Sequence, residues 1–212
     1  MREARLLDLI KERLAPSRDA PDPRARILEG IEGPVSAAFR EVLEQPTRDA
    51  SVLIALIDRP SGPTMLFTER AAHLKNHAGQ ISFPGGRIAP GETAIAAALR
   101  EAAEEVSLEP QAVAVLGCLD VHWVITGFVV TPVVGWVSVP FEPRPDPLEV
   151  ASVFEVPLDF LLDPANTTTV HRERLGTRFR SYELQFGGHR IWGATAAMLR
   201  AFRDKISDEK TV

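Results

Sequence analysis

Residues 86–108, GRIAPGETAIAAALREAAEEVSL, constrain most strongly what this chain can fold into. An alanine-rich run follows a turn built of glycine and proline and carries Glu101, Glu104 and Glu105 close together. At about 100° per residue these carboxylates fall within about 100° of one another on a helix, while Ile95, Leu99, Ala102, Ala103 and Val106 take the opposite arc. The segment is therefore expected to be a helix with one face in a core and the other lined with acid. Like charges at i,i+4 destabilise a helix by a few tenths of a kcal/mol each, so the cluster asks for a cation. Hard carboxylate oxygens at this density suit Mg²⁺ or Mn²⁺. A solvated acidic face is the competing reading. The glycine-rich entry and the paired Glu92 and Arg100 weigh against it.

Gly86, Glu92, Arg100, Glu101, Glu104, Glu105 and Leu108 stand at the spacing G-x5-E-x7-R-E-U-x-E-E-x-G-U, where U is a bulky apolar residue. In this the chain resembles the Nudix hydrolase family. Upstream, LFTERAAHLKNHAGQISFPGG at 66–86 is similar to a second signature, that of the family's coenzyme A diphosphohydrolase branch. Thr68, Arg70, His73, Leu74, His77 and the run Gly79 to Gly86 carry it, and further similarity at 126–135, 149–162 and 190–199 extends the resemblance over about 50–205.

The resemblance implies an α/β protein with the Nudix fold: an α/β/α sandwich whose mixed β-sheet has the acidic helix on one face and a closing helix on the other. It implies a metal-dependent pyrophosphohydrolase with Mg²⁺ or Mn²⁺ held by Glu101, Glu104, Glu105 and the Gly86 carbonyl. Arg100 and Glu92 join the catalytic set, Glu92 holding Arg100 in place. Arg70, Lys75, His77, Gln80, Ser82, Phe83 and Gly85 are the implied substrate contacts, with a core position the equal alternative for Phe83. The implied reaction cleaves coenzyme A, or an acyl or oxidised form of it, to 3′,5′-ADP and 4′-phosphopantetheine or its derivative. Arg70, Lys75 and His77 are then the nearest candidates to read the 3′-phosphate. The alternatives are a broader nucleoside diphosphate-X hydrolase acting on ADP-ribose or NADH, and a non-catalytic nucleotide-sensing module. The motif leaves the general base open, with Glu149 one candidate and a surface glutamate its plainer reading.

Three residues depart from the family pattern. Ser107 stands where the motif has glycine, Ala102 replaces a large apolar residue, and Lys75 sits where this branch more often has arginine. A glycine just past a helix usually supplies a left-handed residue, which serine adopts less readily. Lys75 keeps the charge but loses arginine's two-pronged geometry toward a phosphate.

A chain of 212 residues, 45% apolar and 25% charged, can bury one substantial core. The expected organisation is an N-terminal helical extension over 1–49 with a possible role in a homodimer, a hydrolase domain over 50–206 and a tail over 207–212. A net charge of −5 without long basic runs argues against nucleic acid as a partner and leaves a small nucleotide substrate. Cys118, the sole cysteine, has no internal disulfide partner and suits a reducing cytoplasm. The N-terminal MREARLLDLIKERLAP interleaves charges and lacks a signal peptide's apolar core. The apolar stretch 121–139 contains Gly127, Pro132 and Gly135 and reads as two buried strands rather than a membrane span.

Strand-like runs at 51–58 and 64–70 form an expected hairpin through RPSGP. Further strands are expected near 112–120, 127–138 and 151–156, then a short helix near 157–163, hairpin strands 178–186 and 189–192 about Gly187-Gly188, and a helix over 195–206. His73 and His77 at i,i+4 also match a zinc spacing, but the glutamate of H-E-x-x-H is missing. A phosphate-lining loop and a plain surface loop remain the readings for that segment. Arg172, Arg174, Arg178 and Arg180 form a second basic group whose plain reading is a solvated hairpin edge.

Overall fold

The structure is a computed structural model and describes residues 2–14, 23–74, 78–138 and 140–207. Three helices come first: α1 (Arg2–Arg13), α2 (Pro23–Glu29) and α3 (Ala37–Glu44). Then follow β1 (Arg48–Ile57), β2 (Thr64–Arg70), β3 (Ile81–Ser82) and β4 (Gly85–Arg87), which lead into the acidic helix α4 (Ala94–Val106). Strands β5 (Ala114–Cys118), β6 (His122–Val124), β7 (Phe128–Val137) and β8 (Val150–Pro157) precede the short α5 (Leu158–Leu162). The chain closes through β9 (Thr168–Arg174), β10 (Thr177–Phe186), β11 (His189–Trp192) and α6 (Ala194–Ile206).

Strands β1 to β8 form one mixed sheet, and β11-β10-β9 a second, antiparallel one. The parallel pair β1 and β7 is the spine, in register from Arg48 opposite Phe128 to Ile57 opposite Val137. A strand covered on both faces reads as a near-continuous apolar run, which is why VLIALI and VVTPVVGWV alternate so little. Pro132 cannot donate to a ladder and falls where one neighbouring strand replaces another. β5 pairs as far as Cys118 opposite Val133, β6 begins with His122 opposite Val130, and the Pro132 carbonyl accepts from the Leu119 N–H at 2.9 Å. The apolar run at 121–139 is thus β6 and β7, and among the described residues no helix is long and apolar enough to cross a membrane.

Alternation along β1 builds two cores. Leu53, Ala55 and Ile57 pack with Ala98, Ala102 and Val106 of α4. Ile54 and Leu56 belong to the opposite core, with Leu199 and Phe202 of α6 and with Ile10 and Leu14 at the end of α1. The result is the expected α/β/α sandwich, with α4 on one face and α6 on the other. Ile10 and Leu14 are 0% and 2% exposed, so the first helix contributes to the same core as the sheet.

Ile95 departs from expectation: it is 39% exposed. It lies on the same angular face as Ala102, but about two turns nearer the helix start, where α4 has only just begun at Ala94. Ala97 and Ala98, fully buried, take the packing role instead. Strand β9 was not anticipated, because TTVHRER carries no apolar alternation. It is held by main-chain pairing to β10 around a tight turn in which Leu175 and Gly176 both have positive φ. The β10–β11 hairpin turns at Gly187-Gly188, also both positive in φ.

Ser107 ends α4 in the left-handed conformation, φ 59° and ψ 31°, with its N–H donating to the Ala102 and Ala103 carbonyls. Its Oγ donates to the Arg144 carbonyl at 3.2 Å, a bond the sequence did not signal. Two effects therefore oppose each other: left-handed strain of about 1 kcal/mol and an exposed hydrogen bond of about 0.5–1 kcal/mol. Ser107→Gly removes both and is expected to leave unfolding free energy within about 0.5 kcal/mol of the parent. Ser107→Ala keeps the strain and loses the bond, so denaturant titration should find it about 1 kcal/mol less stable than Ser107→Gly. Equal stabilities for the two variants would contradict the left-handed cap.

Candidate active site

The site is assembled where β4 crosses the side of α4. Gly85 and Gly86 lie opposite Val52 and Ser51 of β1. A Cβ on Gly85 would fall 2.4 Å from the Ser51 carbonyl oxygen, and one on Gly86 2.4 Å from the Glu101 carboxyl carbon. Glycine at 85 lets β4 lie tight against β1, and glycine at 86 lets it approach the acidic helix this closely. Helix α4 enters through a Thr93 cap, whose Oγ1 accepts from the Ala96 N–H at 3.1 Å.

Arg100 organises the carboxylates. Its Nε and Nη2 donate to the two oxygens of Glu92 at 2.9 and 3.2 Å. Its Nη1 donates to Glu101 at 2.8 Å and to Glu104 at 3.0 Å, and Nη2 also reaches the Arg87 carbonyl at 3.2 Å. The same Glu92 accepts from the Ala89 N–H at 2.9 Å, which closes the turn before the helix. The Arg100 hydrogen bonds and then the Ala89 N–H hold the Glu92 carboxyl below its usual range. Burial lifts Glu101 above it, against the pull of Arg100.

Glu105 lies differently from its neighbours. The sequence placed it on the acidic face, yet it is 3% exposed, because it borders the core side of α4 beside Ala102 and Val106. Its Oε2 accepts from the Gly85 N–H at 3.3 Å, and Arg70 Nη1 stands 3.9 Å from its Oε1. Burial pushes the Glu105 carboxyl up to about 8; Arg70 and the Gly85 N–H oppose that rise, and Glu101 and Glu149 add to it. Glu149 is thus brought within electrostatic reach of both helix carboxylates. It sits in a pinned turn: its N–H and that of Val150 donate to the Asp146 carbonyl, and its own carbonyl accepts from Ala71 N–H at 2.9 Å.

Among the described residues no three acidic, histidine or cysteine side chains already converge as a ligand set. Arg100 holds Glu101 and Glu104 while Glu105 turns in toward Gly85. The donor chemistry nevertheless fits a hard divalent cation: three carboxylates, one of them buried with only Arg70 and one backbone N–H beside it, and the backbone of Gly86 against Glu101.

The upstream residues separate. Arg70 reaches α4, which places it beside the Glu105 carboxylate. The Ser82 hydroxyl lies 3.2 Å from that of Thr68, and the Gln80 carbonyl accepts from the Arg70 N–H at 3.0 Å. Phe83 is 1% exposed and stacked on Phe67, ring centres 5.1 Å apart, and it also borders the cleft described next. Lys75 and His77 fall outside the described residues. His73 Nε2 engages the Leu148 carbonyl at 3.1 Å, on the turn that carries Glu149.

Arg70, Gln80, Ser82 and Gly85 also line one end of a cleft of about 1170 Å³ between the main sheet, the small sheet and α6. Aromatic residues the sequence reading did not select, Trp123, Phe128, Tyr182 and Trp192, line it further. Only the apolar strand pattern around Trp123 and Phe128 was visible beforehand, and it marked burial rather than a cleft. Of the second basic group, Arg172 shares Glu183 with Arg190 and lies 4.9 Å over the Trp192 ring, while Arg178 pairs with Glu32. Arg180 donates to the Glu29 carbonyl at 3.0 Å.

The profile of the NUDIX domain matches residues 47–175. The chain is 44% identical over 161 residues, 76% of its length, to the uncharacterized Nudix hydrolase NudL of Salmonella newport, and covers 82% of that protein. NudL of Salmonella agona matches equally. Among solved structures it is similar to DR0079 of Deinococcus radiodurans, with 16% identity, TM-score 0.48, and coverage of 74% of this chain and 85% of that one. It is also similar to the RenU Nudix hydrolase of M. smegmatis, with 23% identity, TM-score 0.47, and coverage of 55% and 74%. The chain belongs to the Nudix hydrolase family and is a pyrophosphohydrolase of nucleoside diphosphate compounds. Such enzymes generally use divalent metal ions.

The burial of Glu105 has a consequence for stability in metal-free protein. A carboxyl whose folded pKa is raised favours the folded state below the ordinary carboxylate range, and that contribution is lost as pH rises through about 8. The Tm of metal-free protein should therefore fall between about pH 5 and pH 8. Glu105→Gln should flatten this slope and raise the Tm at pH 8. An undiminished slope in the variant, followed by calorimetry in EDTA, would contradict the assignment.

Proposed function

We propose that this chain hydrolyses the diphosphate bond of coenzyme A or a derivative of it, releasing 3′,5′-ADP and 4′-phosphopantetheine or its derivative. The observation that carries this reading is that Arg70 and Gly85, two described residues of the 66–86 signature, border the cleft and both meet the buried Glu105. A diphosphate resists attack because its oxygens repel the nucleophile, so the site must oppose charge with charge and position water.

Glu101, Glu104, Glu105 and the Gly86 carbonyl would hold Mg²⁺ or Mn²⁺. When bound, such a cation polarises a phosphoryl oxygen and lowers the pKa of water. Arg100, fixed by Glu92, keeps Glu101 and Glu104 oriented while the cation is absent and limits their mutual repulsion. Arg70 offers its guanidinium to the diphosphate oxygens from beside Glu105. Glu149 is the proposed general base: its pinned turn sets it within electrostatic reach of Glu101 and Glu105.

The test is product analysis with coenzyme A, acetyl-coenzyme A, ADP-ribose and NADH in the presence of Mg²⁺. The expected outcome is 3′,5′-ADP from coenzyme A, with a higher kcat/KM than for ADP-ribose or NADH. Glu101→Gln and Glu105→Gln should each lower kcat by about two to four orders of magnitude, and EDTA should abolish turnover. A higher kcat/KM on ADP-ribose would overturn the coenzyme A assignment, and full activity in EDTA would overturn the metal mechanism.

A further inference from the structure

At one end of the main sheet, two arginines bracket a single aromatic ring. Arg48 Cζ lies 4.3 Å and Arg87 Cζ 5.7 Å from the centre of the Phe128 ring. The strand register explains the meeting: Arg48 stands opposite Phe128 across the parallel β1–β7 pair, and Arg87 stands opposite Ala50, two residues along β1 from Arg48. Residues two apart on a strand share a face, as do cross-strand partners, so all three side chains lie on one face. Phe128 lines the cleft, as does Gly85, which shares a strand face with Arg87.

No described carboxylate pairs with either guanidinium. Among the described residues Arg48 and Arg87 form no ion pair, and the one hydrogen bond of the Arg48 side chain goes to a backbone oxygen, that of Thr126 at 3.3 Å. Asp49, next to Arg48 in sequence, belongs to the opposite strand face. Both arginines are exposed, so their N–H edges are available to a ligand. The negative face of the ring stabilises each cation but does not remove its charge. Two uncompensated guanidiniums side by side in a chain of net charge −5 match a dianion, and their planar forks match phosphate.

We propose that Arg48 and Arg87, set on Phe128, form the subsite for a phosphate on the ribose of the substrate, separate from the diphosphate that is cleaved. This rests on the coenzyme A reading and moves recognition of the 3′-phosphate away from Arg70. Spacing supports it. Arg87 is two residues along β4 from Gly85, whose N–H meets Glu105, a displacement of about 6–7 Å. The 3′-phosphorus of an adenosine 3′,5′-bisphosphate is six bonds from the 5′-phosphorus, a span of about 6 Å. The Arg87 carbonyl is tied to Arg100 at 3.2 Å, so the subsite and the catalytic helix are held in one frame.

The experiment compares parent protein with Arg48→Gln, Arg87→Gln and the double variant on coenzyme A and dephospho-coenzyme A. The double variant should lose about 10- to 100-fold in kcat/KM on coenzyme A, at least tenfold more than it loses on the dephospho compound. Equal losses on the two substrates, or no loss on either, would overturn the subsite. A second arm does not depend on turnover: calorimetric binding of 3′,5′-ADP and of 5′-AMP. Tighter binding of the bisphosphate by the parent, lost in the double variant, supports the subsite even if coenzyme A is a poor substrate. No preference for the bisphosphate in the parent overturns it even if coenzyme A is hydrolysed.

Discussion

Repulsion among carboxylates is the constraint around which the rest of the molecule is arranged. Glu101, Glu104 and Glu105 share one stretch of α4, and the turn carrying Glu149 brings a fourth acid into their field. Two different devices contain this charge. Arg100 spreads its guanidinium over Glu92, Glu101 and Glu104 at the exposed side. Glu105 is instead buried, with one backbone N–H and the Arg70 guanidinium 3.9 Å away, and burial still lifts its pKa to about 8. The second device costs stability when the carboxyl is ionised without a cation, which is the arrangement expected of a site tuned to bind one.

Close approach makes the first device possible. The FPGG turn places backbone where any side chain would collide, against the Ser51 carbonyl at Gly85 and the Glu101 carboxyl at Gly86. Strand β4 is therefore stitched to β1 on one side and pressed to α4 on the other. The apolar face of α4, with Ala98, Ala102 and Val106 packed on Leu53, Ala55 and Ile57, fixes the rotation of the helix about its axis. Ala102, small where the family has a large residue, is fully buried there, so the departure changes the size of a contact and leaves the carboxylates in place.

Most of this was legible where a residue's type dictates its surroundings. The helix with its core and acidic faces follows from 3.6-residue periodicity, and the left-handed exit at Ser107 from its place just past the last turn. Periodicity says nothing of axial position, which is why Ile95 has the right angle and the wrong depth. The helical angle sets Glu105 nearer the apolar arc than Glu101, but the depth of its burial shows only once Gly85 is folded against it. Strand β9 was invisible because hydrogen bonding to β10, not apolar alternation, holds TTVHRER in place. The Arg48, Phe128 and Arg87 grouping joins residues far apart in the chain, and only strand register brings them together.

The placement of the cleft then limits how a substrate can lie. The carboxylates of α4 are on one side of the main sheet, whereas Val52, Phe128 and Val130 face the cleft on the other. The two sides communicate at the sheet margin formed by residues 80–87, where Gly85 both lines the cleft and donates to Glu105. On the proposed mechanism a diphosphate sits at that margin, so the groups on either side of it are directed along the cleft face. Thr195 at the start of α6 donates to the Ile81 carbonyl at 2.9 Å, tying the closing helix to the same margin. The second core, filled by α1 and α6, thus holds from behind the strand edge on which the chemistry depends.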